Sequence, residues 1–237
     1  MLSLNKGGEV DAEPSRAPAS ADTETYAVLN MGMFFCVGVC YTTKKGLERV
    51  DANKLVVGLG GMPGAGKSLV VETAKELGYD VVAMGDVVRE QTRLRGLEPT
   101  PQNVGKVMLE LRAQEGNYVI AKKCIPKIEQ QPSNRVLIDG LRSLFEADIF
   151  REHFASFTLV AVHAPPQVRF ERLRLRGRSD DPPNYEVFHE RDMRELGVGL
   201  GNVIAMAEKI VVNDNSIEGF KALVKENFGR IEQKWLK

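Results

Sequence analysis

The chain has 237 residues with 32 Lys+Arg against 32 Asp+Glu, so its formal net charge is zero, and 43% of its residues are apolar. That balance excludes a protein whose main task is to coat nucleic acid or an anionic membrane, and the length allows one large domain or two small ones with a sizeable core. Three cysteines (Cys36, Cys40, Cys124) are too few for a disulfide framework and point to a reducing, cytoplasmic setting, while His153, His163 and His189 lie far apart without metal-ligand spacing.

Residues 5–25 are rich in Gly, Ala, Pro, Ser, Asp and Glu. Such a stretch buries too little apolar surface to offset its ordering entropy and reads as disorder. The apolar run at 27–41 is shorter than the roughly 20 residues a membrane helix needs, and Gly32 and Gly38 interrupt it. A signal peptide would have a basic flank, and the acidic stretch 22–24 stands there instead. The Cys36-x-x-x-Cys40 pair is too isolated to read as a metal or redox site. Residues 1–53 are therefore expected to be a poorly ordered extension, contributing an edge strand at most and no anchor. An abrupt change to well-patterned sequence at Asn53 suggests that the native start lies further on.

From Lys54 onward, short apolar runs alternate with helical spacing. The runs 54–59 (KLVVGL), 80–84 (DVVAM), 135–138 (RVLI), 157–163 (FTLVAVH) and 210–212 (IVV) have the pattern of strands buried on both faces of a parallel sheet. Between them, Val104, Val107, Met108 and Leu111 make one apolar stripe, and Thr100-Pro101 ahead of it is a cap residue followed by Pro at the first helical position. Strands alternating with helices predict a mostly parallel α/β sheet with right-handed crossovers.

Gly61-Met62-Pro63-Gly64-Ala65-Gly66-Lys67-Ser68 fits G-x-x-x-x-G-K-[ST] at every fixed position, with an apolar strand before it and a helical stretch beginning at Leu69 after it. Glycines let backbone amides turn inward around nucleotide phosphates, and the helix that starts there adds the positive end of its dipole. Lys67 supplies a cation to the phosphates, and the Ser68 hydroxyl is placed to ligate Mg²⁺. A chance Gly-rich turn explains neither the motif nor its context. The segment predicts binding of a nucleoside triphosphate with magnesium.

Asp139 closes the third apolar run, at the carboxyl end of a strand, where a magnesium-organising carboxylate belongs. A helix-capping Asp is the alternative. Arg142, three residues on, brings a guanidinium to the same sheet edge, suited to bidentate contact with a phosphate. Arg169, Arg172, Arg174, Arg176 and Arg178 then concentrate five guanidiniums in ten residues. At helical spacing Arg169, Arg172 and Arg176 share a face while Phe170 and Leu173 pack inward. The cluster suits a lid closing over transferring phosphates, and the alternative is a solvated basic face or an RNA-touching patch.

With Gly85-Asp86-Val87-Val88-Arg89, Asp139-Gly140-Leu141-Arg142 and Gly177-Arg178-Ser179-Asp180-Asp181 following the phosphate loop in order, residues 54–230 resemble P-loop kinases of the adenylate kinase group, and more closely the archaeal adenylate-kinase-related proteins. The resemblance implies a P-loop NTPase kinase-type α/β fold. Its parallel five-stranded sheet carries helices on both faces, an acceptor-binding helical insert at 86–130 and a short lid at 169–195. It also implies acceptor-binding roles for Arg89 and Arg142, lid roles for Arg172, Arg176 and Arg178, and an adenine seat near residues 211–216. Two features depart from the pattern. No Pro precedes Arg142, and the lid lacks the longer insert of many adenylate kinases. Other stretches, GLGGMPGAGKS and LFEADIF among them, are similar to dephospho-coenzyme A kinases, in which the residue matching Asp86 activates a hydroxyl. Asp86 is thus either a general base or a residue that orients Arg89. The expected activity is transfer of the γ-phosphoryl of ATP to a small nucleotide-like acceptor, with Lys67, Asp86, Arg142 and the lid arginines catalytic, Ser68 and Asp139 holding Mg²⁺, and residues 61–69 cradling the nucleotide. A nucleotide-dependent switch or ATPase acting on a protein or RNA is the competing expectation. No membrane partner is expected.

Overall fold

The computed structural model describes residues 54–178, 181–214 and 216–235, so the expectations for residues 1–53 lie outside the described residues. In chain order the elements are β1 (Leu55–Gly61), α1 (Lys67–Glu76), β2 (Asp80–Ala83), α2 (Met84–Leu94), α3 (Pro101–Glu115), α4 (Val119–Glu129), β3 (Arg135–Asp139), α5 (Leu144–His153), β4 (Ser156–His163), α6 (Pro166–Arg176), α7 (Tyr185–Val198), α8 (Leu200–Ala205), β5 (Lys209–Val212) and α9 (Ile217–Trp235). Each of the five apolar runs forms a strand, shifted by a residue or two at its ends. The insert expected at 86–130 resolves into α2, α3 and α4.

The strands form one sheet of order β2-β3-β1-β4-β5, parallel at every pairing. All seven residues of β1 are buried, as a central strand covered on both faces requires. Because successive side chains point to opposite faces, Leu55, Val57 and Leu59 join Val70, Ala74, Phe220, Val224 and Phe228 beneath α1 and α9. Val56 instead joins Val87, Ile120, Phe150 and Val203 on the side of α2 to α5 and α8. Fully burying each such Val, Leu, Ile or Phe side chain contributes about 1.5–3 kcal/mol.

The helices start where local chemistry allows. The Thr100 side chain accepts the N–H of Asn103 at 3.2 Å, with Pro101 at the first helical position of α3. Ser143 and Glu146 form a reciprocal capping box at the start of α5. That box answers one question about Asp139, because α5 is capped by Ser143 and the aspartate is free of capping duty.

The sheet order positions the site. The chain leaves β1 through α1 toward β2 on one side, and leaves β3 through α5 toward β4 on the other. The loops after β1 and β3 therefore diverge and open a crevice at the carboxyl ends of adjacent strands, the place where open α/β sheets bind ligands. The register sets Leu59 of β1 opposite Asp139 of β3, which puts Asp139 level with the strand end that feeds the phosphate loop. Among the described residues, no helix is long and apolar enough to cross a membrane.

Candidate active site

The phosphate loop is held from two directions, by Arg169 and by Asn213. Gly64 and Gly66 both have positive φ, 80° and 108°. A side chain at Gly64 would meet the backbone carbonyl of Arg169 at 2.7 Å, and one at Gly66 would overlap the Asn213 carboxamide. Glycine is required at both positions by conformation and by space. Asn213, buried at the end of β5, donates its Nδ2 to the carbonyl of Ala65 at 2.8 Å. No side chain caps α1, so its first-turn amides and dipole are left to a ligand.

Two cavities meet at this loop. One, of about 540 Å³, is lined by the loop, Ser68, Leu69, Glu72, Arg172, Arg176, Arg191, Glu195 and Ile217, among others. The other, of about 640 Å³, is enclosed by α2, α3 and the start of α4, with Met84, Val88, Val104, Met108 and Ile120 on its walls and Arg89, Arg112 and Glu146 among its polar groups. Lys67, Asp139, Gly140, Arg142 and Arg178 line both cavities. A group passing from one to the other would pass between these five residues.

The electrostatics at the junction are tense. Lys67 Nζ donates back to the loop carbonyls of Gly61 at 2.5 Å and Met62 at 3.2 Å. Burial pushes its pKa down to about 8; the Asp139 charge opposes the shift, Arg142 adds to it, Glu195 opposes it and Arg191 adds to it. Burial raises the Asp139 carboxyl above the usual range despite Lys67 and Arg142 beside it. Asp139 Oδ1 is buried without a hydrogen-bond partner. An acceptor oxygen left unmatched in a cluster of charge suits a hard divalent cation. With the Ser68 hydroxyl on the wall of the same cavity, these two residues are hard oxygen donors of the kind that would hold Mg²⁺.

The structure sorts the five arginines. Arg172, Arg176 and Arg178 line the nucleotide cavity, and Arg174 is exposed on the opposite side of α6. Arg169 shares the stripe predicted for the lid but is 4% exposed and structural. It forms a bidentate pair with Asp192 of α7, at 2.8 and 2.5 Å, and donates to the carbonyls of Pro63 and Ala164. Its guanidinium also lies 5.0 Å from the centre of the Phe188 ring. It ties the phosphate loop to α7. Arg172 donates to the carbonyl of Asn213, whose side chain holds the loop carbonyl of Ala65, and Ile217, just beyond the 211–216 segment, lines the cavity. Arg176 pairs with Asp181, whose carboxyl it holds below the usual range.

Asp86 is exposed and accepts from Arg89 Nε at 3.0 Å and Nη2 at 2.5 Å. Arg89 lines the second cavity and Asp86 is not among its lining residues. Arg142 lies at the junction, with Nη1 3.6 Å from Glu195 Oε1, so the missing Pro has not displaced it from the site. Sequence reasoning missed Arg112, Glu146, Arg191 and Glu195. Glu146 lies in the Ser143-x-x-Glu146 capping box, a local signal for a helix start and not for a site, and the other three lie in no local motif.

A five-stranded parallel sheet of this order, with the glycine-rich Lys-Ser loop at its switch point, defines a P-loop NTPase of kinase-like fold. Residues 60–189 match the model of the AAA domain family. Among solved structures, TT1252 from Thermus thermophilus superposes with a TM-score of 0.54 at 17% identity, covering 75% of this chain and 98% of that one. A shikimate kinase from Bacteroides thetaiotaomicron gives a TM-score of 0.52 at 16% identity, covering the same shares. At that identity the likeness concerns the fold alone. A UPF0200 protein of Hyperthermus butylicus is 46% identical over 180 residues, 76% of this chain and 96% of its own length. Another, from Methanocaldococcus jannaschii, is 49% identical over 166 residues, 69% of this chain and 84% of its own. The chain belongs to the UPF0200 family, the archaeal P-loop group that the ordered motifs resemble.

Proposed function

We propose that the protein transfers the γ-phosphoryl group of ATP to a small nucleotide-like acceptor. One observation carries this reading: two separate cavities share a wall made of Lys67, Asp139, Gly140, Arg142 and Arg178. A hydrolase or switch needs the first cavity, and a transferase needs both, joined where the phosphoryl group moves. Phosphoryl transfer asks for positioning and charge neutralisation more than covalent help. Lys67, which donates to loop carbonyls in the free protein, turns its donors to the polyphosphate on binding. Arg142, Arg172, Arg176 and Arg178 neutralise charge developing on the transferred group, and the loop amides hold the β-phosphate. Mg²⁺ held by Ser68 and Asp139 would add Lewis-acid stabilisation of the phosphate oxygens. Arg89 and Arg142 face the acceptor. Asp86, exposed and committed to Arg89, acts as the residue that orients it.

The test is incubation with Mg·ATP and a panel of nucleoside monophosphates and dephospho-coenzyme A, with products separated by chromatography. One acceptor is expected to yield ADP and phosphorylated product in equal amounts, and Lys67→Ala to abolish both. ATP hydrolysis indifferent to every acceptor, with no phosphorylated product, would overturn the reading.

A further inference from the structure

The nucleotide cavity carries a carboxylate that the transfer reading does not use. Glu195, near the end of α7, lines that cavity with its side chain 16% exposed. Its Oε1 lies 3.6 Å from Arg142 Nη1, an ion pair too long for a hydrogen bond, and its charge also favours the ammonium of Lys67. Of the other carboxylates on this wall, Glu72 is paired with Lys221 of α9, and Asp139 is the oxygen donor that would hold Mg²⁺.

The position of Glu195 is fixed from both sides. Three residues earlier on the same side of α7, Asp192 is buried and holds Arg169 in two hydrogen bonds. Arg169 in turn donates to the loop carbonyl of Pro63 at 3.2 Å. Beyond Glu195, α7 ends at Gly199, where a side chain would come within 3.7 Å of the Arg142 carbonyl oxygen. The helix is thus tied to the phosphate loop and abuts the segment that carries Arg142, so the carboxylate stands on a braced element beside the loop.

A fixed negative charge beside a polyphosphate weakens the binding of every anion that enters. A long, partly exposed ion pair adds little to stability, so folding does not account for the carboxylate. Discrimination does. A site rejects a wrong ligand by facing it with an unmatched charge. The repulsion grows with the net charge of the ligand, and Mg²⁺ cancels two of the charges on a triphosphate. The metal-free nucleotide therefore bears most of the penalty.

We infer that Glu195 is a specificity-determining residue, which turns the phosphate cavity against nucleotide whose charge is not offset by a divalent cation and admits the metal complex. A metal-free nucleotide on the loop would occupy the site unproductively, and Glu195 keeps it out. The inference rests on the nucleotide half of the reading above and is indifferent to which acceptor takes the phosphoryl group.

Calorimetric titration with a non-hydrolysable ATP analogue, in excess Mg²⁺ and again in a chelator, gives two dissociation constants and their ratio. Glu195→Gln keeps the side chain's size and removes its charge. It should tighten the metal-free analogue by about tenfold or more and the Mg²⁺ complex by at most about threefold, so the ratio falls. Glu195→Asp keeps the charge and should keep most of the wild-type ratio. Because Glu195 also faces Arg142, the comparison is repeated with Arg142→Gln in place, where direct repulsion of the phosphates should still lower the ratio. A shift that vanishes in that background would mean that Glu195 acts only by restraining Arg142, and would overturn the inference. So would a ratio unchanged by Glu195→Gln, an equal change in both constants, or a wild type that binds the metal-free analogue as tightly as the Mg²⁺ complex. Product formation is a separate readout. The expected ratios without any phosphorylated product would refute the transfer and leave this role standing, and an unchanged ratio in a protein that phosphorylates an acceptor would do the reverse.

Discussion

Lys67 makes a measurable claim about protons. With its pKa held at about 8 by burial, the free protein carries this lysine about one-tenth neutral at pH 7, about half at pH 8 and about nine-tenths at pH 9. A bound polyphosphate surrounds the ammonium with negative oxygens and restores its charge. Nucleotide binding should therefore take up about 0.1 proton at pH 7, about 0.5 at pH 8 and about 0.9 at pH 9. The associated weakening of affinity between pH 7 and pH 9 is about tenfold, about 1.4 kcal/mol. The triphosphate is itself fully ionised above pH 8, since the last phosphate proton leaves near pH 6. Calorimetric titration with a non-hydrolysable ATP analogue in two buffers of different ionisation enthalpy, neither of them phosphate, reads the uptake directly. The Lys67→Met variant should show none. The same depressed pKa fixes a stability trend. The folded state binds fewer protons than the unfolded state between about pH 8 and about 10.4, so this group's contribution improves as pH rises through that window and is at its worst below it. Lys67→Met should therefore melt higher than wild type at pH 7 in the absence of nucleotide, although it cannot function. Zero proton uptake by the wild type at pH 9, or a melting temperature lowered by Lys67→Met, would refute the reasoning.

Gly66→Ala forces a side chain into a left-handed backbone and against the Asn213 carboxamide that holds Ala65; strain and the lost hydrogen bond should cost about 2–3 kcal/mol in urea unfolding and abolish nucleotide binding. Arg169→Met leaves Asp192 buried without its cation, and should cost about 3–5 kcal/mol in the same measurement, so a loss below about 1 kcal/mol would dismiss the brace. Asp139 has a raised pKa, so the folded state binds its proton more tightly and the carboxylate's contribution to stability falls as pH rises through that shifted pKa. Asp139→Asn should accordingly melt no lower than wild type at neutral pH, while Mg²⁺ ceases to tighten nucleotide binding in calorimetry. Ser143→Ala removes one half of the capping box and should lower stability by about 1 kcal/mol, seen as a shift in the denaturant midpoint without a change in slope.

The elements that were legible from sequence owe their form to neighbours in the chain. A central parallel strand is apolar throughout because both its faces are covered, so β1 can be recognised from its own residues. The Thr100-Pro101 start of α3 and the glycine-rich turn before Lys67 depend on φ, ψ and hydrogen bonds within a few residues. The strand boundaries were less legible, because a ladder ends where its partner ends and not where apolarity stops.

By itself, then, the sequence determined the alternating architecture, the phosphate loop, the placing of Asp139 at a strand end and the concentration of arginines after β4. Tertiary structure alone decided what those arginines do. Arg169 and Arg172 are one helical turn apart and chemically identical, yet one meets Asp192, 23 residues away, and the other the cavity wall. The pairing of Arg112 with Glu146 spans 34 residues, and Asn213 reaches back 148 residues to Ala65. The physical reason is that a charge takes its role from whatever opposes it across space, and periodicity records which face of a helix is apolar but not which partner the charged side will meet.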